Sequence, residues 1–229
     1  MTTAGRVDLD DVAARIARVL ASAGSGVGRH ALNPVEQRLS VALYRLLAEG
    51  HPVPRAVLAE RLPGSLDAVD EILDRWPGVF SDAERRVVGY WGLALNAAYA
   101  GPHRLTIKGR TLSAWCAWDT LFLPQLLGET AEVESTTPAG GATVRLTVAT
   151  DRVVHIDPVD AHMSFLLPDA ADVQRDVVTT FCHFVHFFPS REAGERWAAE
   201  RDGTFLLTLE EAHAVALRKN AALYPDLFR

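Results

Sequence analysis

The spacing of apolar residues changes once along this chain, and that change limits the fold more than any other feature. Up to about residue 75 the apolar positions recur at helical spacing, and from about residue 103 short alternating, strand-like segments are mixed with helices. Leu9, Val12, Ile16 and Leu20 predict a helix over 9–22, with Asp10 and Asp11 at the end where carboxylates suit the helix dipole. A Gly-rich breaker follows over 23–28. A second helix is expected from Asn33-Pro34 to about Glu49, with proline in its first turn, Gly50 after its end and the stripe Leu39, Leu43, Leu46, Leu47. Residues 54–75 read as helix, turn, helix: Pro54 opens the first, Pro63-Gly64 ends it and Ser65 caps the second. Val79-Phe80 and the run Val87 to Tyr90 flank a polar turn and predict a β-hairpin, so the region is similar to a winged helix.

A winged helix raises the question of DNA. The helix in the place of a recognition helix carries Asp67, Asp70, Glu71 and Asp74 against Arg75. A DNA reader needs cations there to neutralise phosphates. The whole chain has a formal charge of −6, so no general positive field draws it to nucleic acid or to an anionic membrane. A structural use of this region is the expectation.

Beyond residue 103 the chain reads differently. His103 to Lys108 alternates like a strand, and residues 113–127 predict an apolar helix buried nearly all round. Short strands are expected near 130–135, 143–149 and 152–157, with a turn at Pro138 to Gly141. Residues 162–167 and 179–188 also read as β-rich, and two helices near 190–201 and 208–222 close the chain. The fold class is therefore α+β. An N-terminal extension spans 1–30, a winged-helix-like helical domain that does not bind DNA spans 31–100, and an α+β domain of short strands packed with helices spans 101–229.

At 229 residues and 48% hydrophobic content the chain can bury a sizeable core. No apolar run approaches the roughly 20 residues that span a bilayer, and the first residues lack the apolar stretch of a signal peptide. These features predict a cytoplasmic protein with no membrane partner, whose thiols stay reduced.

Only two of the 229 residues are cysteine, and each sits in a dense apolar-aromatic segment. Cys116 lies in Ser113-Ala-Trp-Cys-Ala-Trp-Asp-Thr-Leu121, three residues before Asp119, so on a helix the two share a face. A carboxylate on so apolar a helix is costly unless paired or functional, and burial would keep it protonated near neutral pH, the state a proton donor needs. Cys182 lies in Thr180-Phe-Cys-His-Phe-Val-His-Phe-Phe188; on a strand it shares parity with His186, and His183 has the other. Cys116, Asp119, Cys182 and His186 could supply four ligands, but their spacing matches no zinc signature. Taken singly, each has an ordinary structural reading as a packed thiol, a paired carboxylate or a hydrogen-bonded histidine.

Two of these segments, in this order and separation, resemble the organomercurial (alkylmercury) lyase family: Ala114 to Leu121 and Phe181 to Phe188. The stretch from Thr130 to Val133, followed by Gly141 to Val148, is also similar, and the resemblance runs from about residue 34 onward. It implies a small winged-helix-form domain without DNA binding at the start, and catalytic residues at Cys116, Asp119 and Cys182. Two departures stand out. His183 takes the place of a further cysteine in well-known members, and another cysteine of the middle strands is absent near Thr137. Neither is a reacting group in the family.

The implied reaction is protonolysis of a carbon–mercury bond, R–Hg⁺ + H⁺ giving R–H + Hg²⁺, as in mercury detoxification. Mercury is soft and prefers thiolates. Cys116 and Cys182 would hold it, and Asp119 would carry a proton from thiol to carbon and then join the thiolates around the Hg²⁺ product. No cofactor is required; external thiols or a mercuric reductase would accept the product. Trp115, Trp118, His183, Phe184, His186 and Phe187 are candidates for the pocket lining. Three other readings compete: a protein binding copper or mercury on the same scaffold without turnover, a metal-sensing winged-helix regulator, and reuse of the scaffold for another reaction.

Overall fold

The computed structural model describes residues 8–24, 32–61, 65–76, 78–96, 98–99, 101–138 and 141–228. The Gly-rich breaker over 23–28 and the Pro63-Gly64 stop lie largely outside them. The chain opens with helix α1 (Leu9–Gly24), α2 (Pro34–Leu47), α3 (Arg55–Glu60) and α4 (Leu66–Arg75). The start of α2 is set locally. Asn33 accepts from the backbone of Val35 and Glu36, and Glu36 reaches back to the backbone N–H of Asn33, a reciprocal capping box. Ser65 caps α4 by accepting from Ala68. Arg55, at the start of α3, bonds to both Asp70 and Asp74 at 3.0 and 2.6 Å, so two of the carboxylates on α4 clamp α3.

Strands β1 (Val79–Ser81), β2 (Val87–Tyr90) and β3 (Leu93–Ala94) follow, and then β4 (His103–Ile107), β5 (Arg110–Ala114), β6 (Ala131–Thr136), β7 (Thr143–Val148) and β8 (Val153–Asp157). They form one antiparallel sheet in the order β1-β2-β3-β5-β4-β6-β7-β8. β1 and β2 are the expected hairpin, and β3 pairs with β5, so β1–β3 and β4–β8 share one sheet. Alternation in β6 is clear in its burial, with Ala131, Val133 and Ser135 inward and Glu132 and Glu134 outward. A second sheet, β10-β9-β11, is built from β9 (His162–Leu166), β10 (Phe187–Phe188) and β11 (Thr204–Thr208).

Helix α5 (Asp119–Leu127) is the centre of the molecule. It packs on β4, β6 and β7 and against α2 and α8 (Leu209–Leu223). Its apolar character all round follows from that position. Helices α6 (Ala170–Thr180) and α7 (Arg191–Ala198) complete the set. α1 packs on α8 and α6, and its Asp10 pairs with Arg218. Among the described residues no helix is long and apolar enough to cross a membrane.

Two expectations are corrected here. Residues 113–127 are not one helix: β5 ends at Ala114, a turn carries Trp115 to Trp118, and α5 starts at Asp119. Residues 179–188 are not a strand: α6 ends at Thr180, Cys182–Phe184 form a single 3-10 turn, and only Phe187–Phe188 are extended in a sheet. The run Val177, Val178, Thr179, Thr180 is β-branched and reads as strand. It is helical because Asp176, itself outside helical φ/ψ, accepts from the N–H groups of Val178 and Thr179 and restarts the helix there.

Candidate active site

Two backbone ties and one serine side chain hold the two cysteine segments in place. The N–H of Trp115 donates to Gly92 at 3.0 Å, fastening the turn after β5 to the β2–β3 turn. The N–H of Ala117 donates to Val185 at 3.2 Å, joining that turn to the segment just after Cys182. The Ser164 hydroxyl of β9 donates to the carbonyl of Phe184 at 2.8 Å and accepts from His186 N–H at 3.0 Å, which holds the 3-10 turn. The result places one ligand atom each of Cys116, Asp119 and Cys182 within 4.8 Å of one another. Both cysteines are free and buried, and Asp119 is 6% exposed.

Asp119 is the first residue of α5. Its Oδ2 accepts from the backbone N–H of Cys116 at 2.7 Å, so the carboxylate closes the turn that presents the thiol. Burial raises its pKa from 3.8 to about 6, against the pull of hydrogen bonds from Cys116 and the charge of Lys219. Burial also pushes the Cys116 thiol well above its ordinary value, and its hydrogen bond with Cys182 pushes the same way. For Cys182 the largest influence is that same hydrogen bond, which pulls it down. Burial and the negative charges of Asp119 and Asp176 outweigh it, and the net direction is upward.

Asp119 and Cys182, but not Cys116, line a cavity of about 70 Å³ whose wall also includes Trp91, Phe122, Phe181 and Lys219. Trp115 and Trp118 are on that wall as well. Trp118 is fixed by donating its ring N–H to Ala212 at 3.0 Å and by edge contacts with Phe122, Phe165 and Phe181. His183, Phe184, His186 and Phe187 are not on the wall. His183 is exposed, His186 packs on His103 and Trp197 with its Nε2 against the His183 carbonyl, and Phe187 is paired in β10. The 3-10 turn breaks the strand parity that would have aligned His186 with Cys182.

Sequence reasoning missed three contributors. Gly92 makes room for the carboxylate: at its φ of +94° a Cβ would lie 2.5 Å from Asp119 Oδ1. Tyr99 donates to the Trp115 carbonyl at 3.4 Å and braces the turn. Lys219 is buried on α8 and faces the cavity. Only Lys219 left a signal in the sequence, as a cation on the apolar stripe Ala212, Val215, Ala216, Leu223.

The raised carboxyl has a consequence for stability. The folded chain binds the Asp119 proton more tightly than the unfolded chain. The stability this gives is complete below about pH 4 and is lost as pH rises toward about 6. The ionised group therefore costs on the order of 3 kcal/mol at neutral pH. Asp119→Asn keeps an oxygen acceptor for Cys116 N–H and removes the charge. It is expected to melt later than the parent at neutral pH and to lose that advantage near pH 4. A parent at least as stable as the variant at neutral pH would contradict this.

Comparison with known proteins bears on what such a site is for. A family model for alkylmercury lyase matches residues 98–219. The alkylmercury lyase of Staphylococcus epidermidis is 39% identical over 170 residues, covering 74% of this chain and 76% of that protein. That of Pseudomonas putida is 38% identical over 174 residues, covering 76% and 79%. That of Streptomyces lividans is 34% identical over 215 residues, covering 94% and 95%. The crystal structure of the mercury-bound form of MerB2 superposes with a TM-score of 0.72 at 20% identity, over 95% of this chain and 100% of that one, a likeness of fold. The matched segment spans Cys116, Asp119 and Cys182 with the strands and helices that gather them, and this chain belongs to the alkylmercury lyase family.

Proposed function

We infer that this chain is an organomercurial lyase that cleaves carbon–mercury bonds by protonolysis, releasing a hydrocarbon and Hg²⁺. The observation that carries this reading is the meeting of two buried thiols and a carboxyl of raised pKa within 4.8 Å of one another, beside an apolar cavity. Thiolate is the ligand class that soft mercury prefers. A carboxyl held near neutrality can both take and give a proton.

The geometry suggests an order. Cys182 lines the cavity and Cys116 does not, so Cys182 captures R–Hg⁺ and loses its proton to solvent. The Cys116 thiol, in hydrogen-bonding reach of Asp119, passes its proton to the carboxylate and adds to mercury as a second thiolate. Two sulfur donors push electron density onto the carbon. Asp119 then protonates that carbon, which leaves as R–H with the bonding pair. The overall step is R–Hg⁺ + 2 Cys–SH giving R–H + Hg(S–Cys)₂ + H⁺, with no change of oxidation state. The ionised Asp119 then completes the ligand set around Hg²⁺. External thiols, or a mercuric reductase, then draw Hg²⁺ from the two sulfurs, and no further cofactor takes part.

The cavity bears on substrate size. At about 70 Å³ it is roughly half the volume known to hold benzene in an apolar cavity. Methyl and ethyl groups suit it as it stands, and a phenyl group requires the aromatic wall to yield. The replacement of the family's further cysteine by His183 does not alter this wall, because His183 is exposed and off it. The helices α2–α4 with the β1–β2 hairpin form a winged-helix-like unit used as scaffold: Asp70 and Asp74 neutralise Arg55, and Glu36 neutralises Arg75.

The test is headspace detection of methane from methylmercury with excess thiol. Release by the parent protein is expected. Tight mercury binding with no hydrocarbon would replace this reading with that of a soft-metal binding protein.

Gly92→Ala checks the placement of the carboxylate. The new Cβ must displace Asp119 Oδ1, and alanine is strained at this φ. Displacement of a reacting group by about 1 Å costs roughly 100-fold in rate. Methane release should fall by about that factor; a parent-like rate would show that the close approach does not position the carboxylate.

A further inference from the structure

The proposed chemistry leaves Lys219 without a task, yet its position is unusual. It is 3% exposed, on the core-facing stripe of α8, and it lines the cavity with Asp119 and Cys182. Its ammonium lies 3.3 Å from the centre of the Phe122 ring and 5.5 Å from that of Trp118. Among the described residues it has no hydrogen-bond or ion-pair partner beyond these aromatic faces. A buried cation is costly unless negative charge works with it.

Charge accounting across the reaction identifies that negative charge. At rest the ionised Asp119 gives the site a charge of minus one. After Cys182 captures R–Hg⁺ and its proton departs, the alkylmercury thiolate is neutral and Asp119 still carries the charge. When Asp119 takes the Cys116 proton, the charge moves onto the mercury centre with its two thiolates and its carbon. When the carbon leaves as R–H, the charge returns to Asp119. The buried site thus holds one net negative charge at every stage, which only changes its place.

We propose that Lys219 is a positioning residue for cleavage: its ammonium is the standing counter-charge for an anion that shuttles between Asp119 and the mercury dithiolate. This rests on Cys116, Asp119 and Cys182 being the reacting groups. A charge already in place beside the reacting groups needs no reorganisation as the anion moves, which is how preorganised electrostatics lower barriers. Burial lowers the Lys219 pKa to about 7 and the charge of Asp119 acts against that, so the site's own anion holds the ammonium in its charged form up to neutral pH.

The test is Lys219→Met, which keeps an apolar stem over Phe122 and removes the charge. Its melting temperature is not expected to rise, because loss of the ammonium leaves the ionised Asp119 without its counter-charge. The kcat for methylmercury should fall by roughly 100-fold, the low end of what removal of one preorganised group costs. KM and the amount of methylmercury captured should stay at the parent's values. In Lys219→Ala, added propylammonium should restore part of the rate, and propanol should not. Parent-like kcat in Lys219→Met, a loss confined to KM, or absence of amine rescue in Lys219→Ala would each overturn the inference. If Cys116→Ser and Asp119→Asn stop cleavage and Lys219→Met does not, the counter-charge fails and the catalytic reading stands. If Cys116→Ser and Asp119→Asn cleave like the parent, that reading fails first.

Discussion

Cys182→Ser is expected to abolish methane release from methylmercury while the protein stays folded. Serine is close in size, and its hydroxyl can still meet the neighbouring thiol, so the 5%-exposed position remains filled. What is lost is softness. An alcohol oxygen is a poor ligand for mercury and does not ionise near neutral pH, so the first capture and the push of electron density onto carbon both disappear. Cys116→Ser should be as severe, for a different reason. One thiolate would still capture the alkylmercury, but no second sulfur would add, and the proton that Asp119 is to carry would have no source. The two variants should therefore differ in capture and agree in turnover. Cys116→Ser should hold methylmercury on Cys182, and Cys182→Ser should hold much less. Full methane release from either variant would sink the two-thiolate mechanism.

Asp119→Asn should separate binding from chemistry. Both cysteines remain, and the amide oxygen can still accept from Cys116 N–H, the bond that shapes the turn. The amide carries no transferable proton at working pH. Loss of one positioned acid–base group typically costs 10²–10⁴-fold. Methane release is expected to fall by about that factor while methylmercury is still captured by the cysteines. The same variant is expected to be the more stable protein at neutral pH, because the ionised carboxyl is there for function at the expense of folding. Slow and stable is the combination that marks a functional carboxyl; slow and unstable would mark a structural one.

Much of this architecture was legible where signals are local. The capping residue Asn33 with Glu36 marks the start of α2, and Ser65 marks the start of α4. Strands β6 and β7 alternate in burial, and β6, β7 and β8 all lie close to where short strands are expected. The site failed to read correctly wherever its shape is tertiary. From Leu112 to Leu123 the sequence is mostly apolar with no Gly or Pro, and such a stretch does not reveal that a strand, a turn and a helix share it. The turn exists because Trp115 and Ala117 find backbone partners at Gly92 and Val185, both distant in sequence. Asp119 and Cys116 still meet, through a turn that the carboxylate itself closes instead of through a helix face. The role of Gly92 had no local sign at all, since what forbids a side chain there is the carboxylate of another element.

The central claim is that one mercury atom ends between Cys116 and Cys182 after its carbon has left with a proton relayed by Asp119. The most direct measurement adds one equivalent of methylmercury to the protein without external thiol, and records methane and intact-protein mass together. The account predicts one methane per protein, a mass gain of one mercury less two hydrogens, and no thiol left to titrate. A protein that keeps the methyl group on mercury, or that releases methane with one cysteine still free, would contradict it.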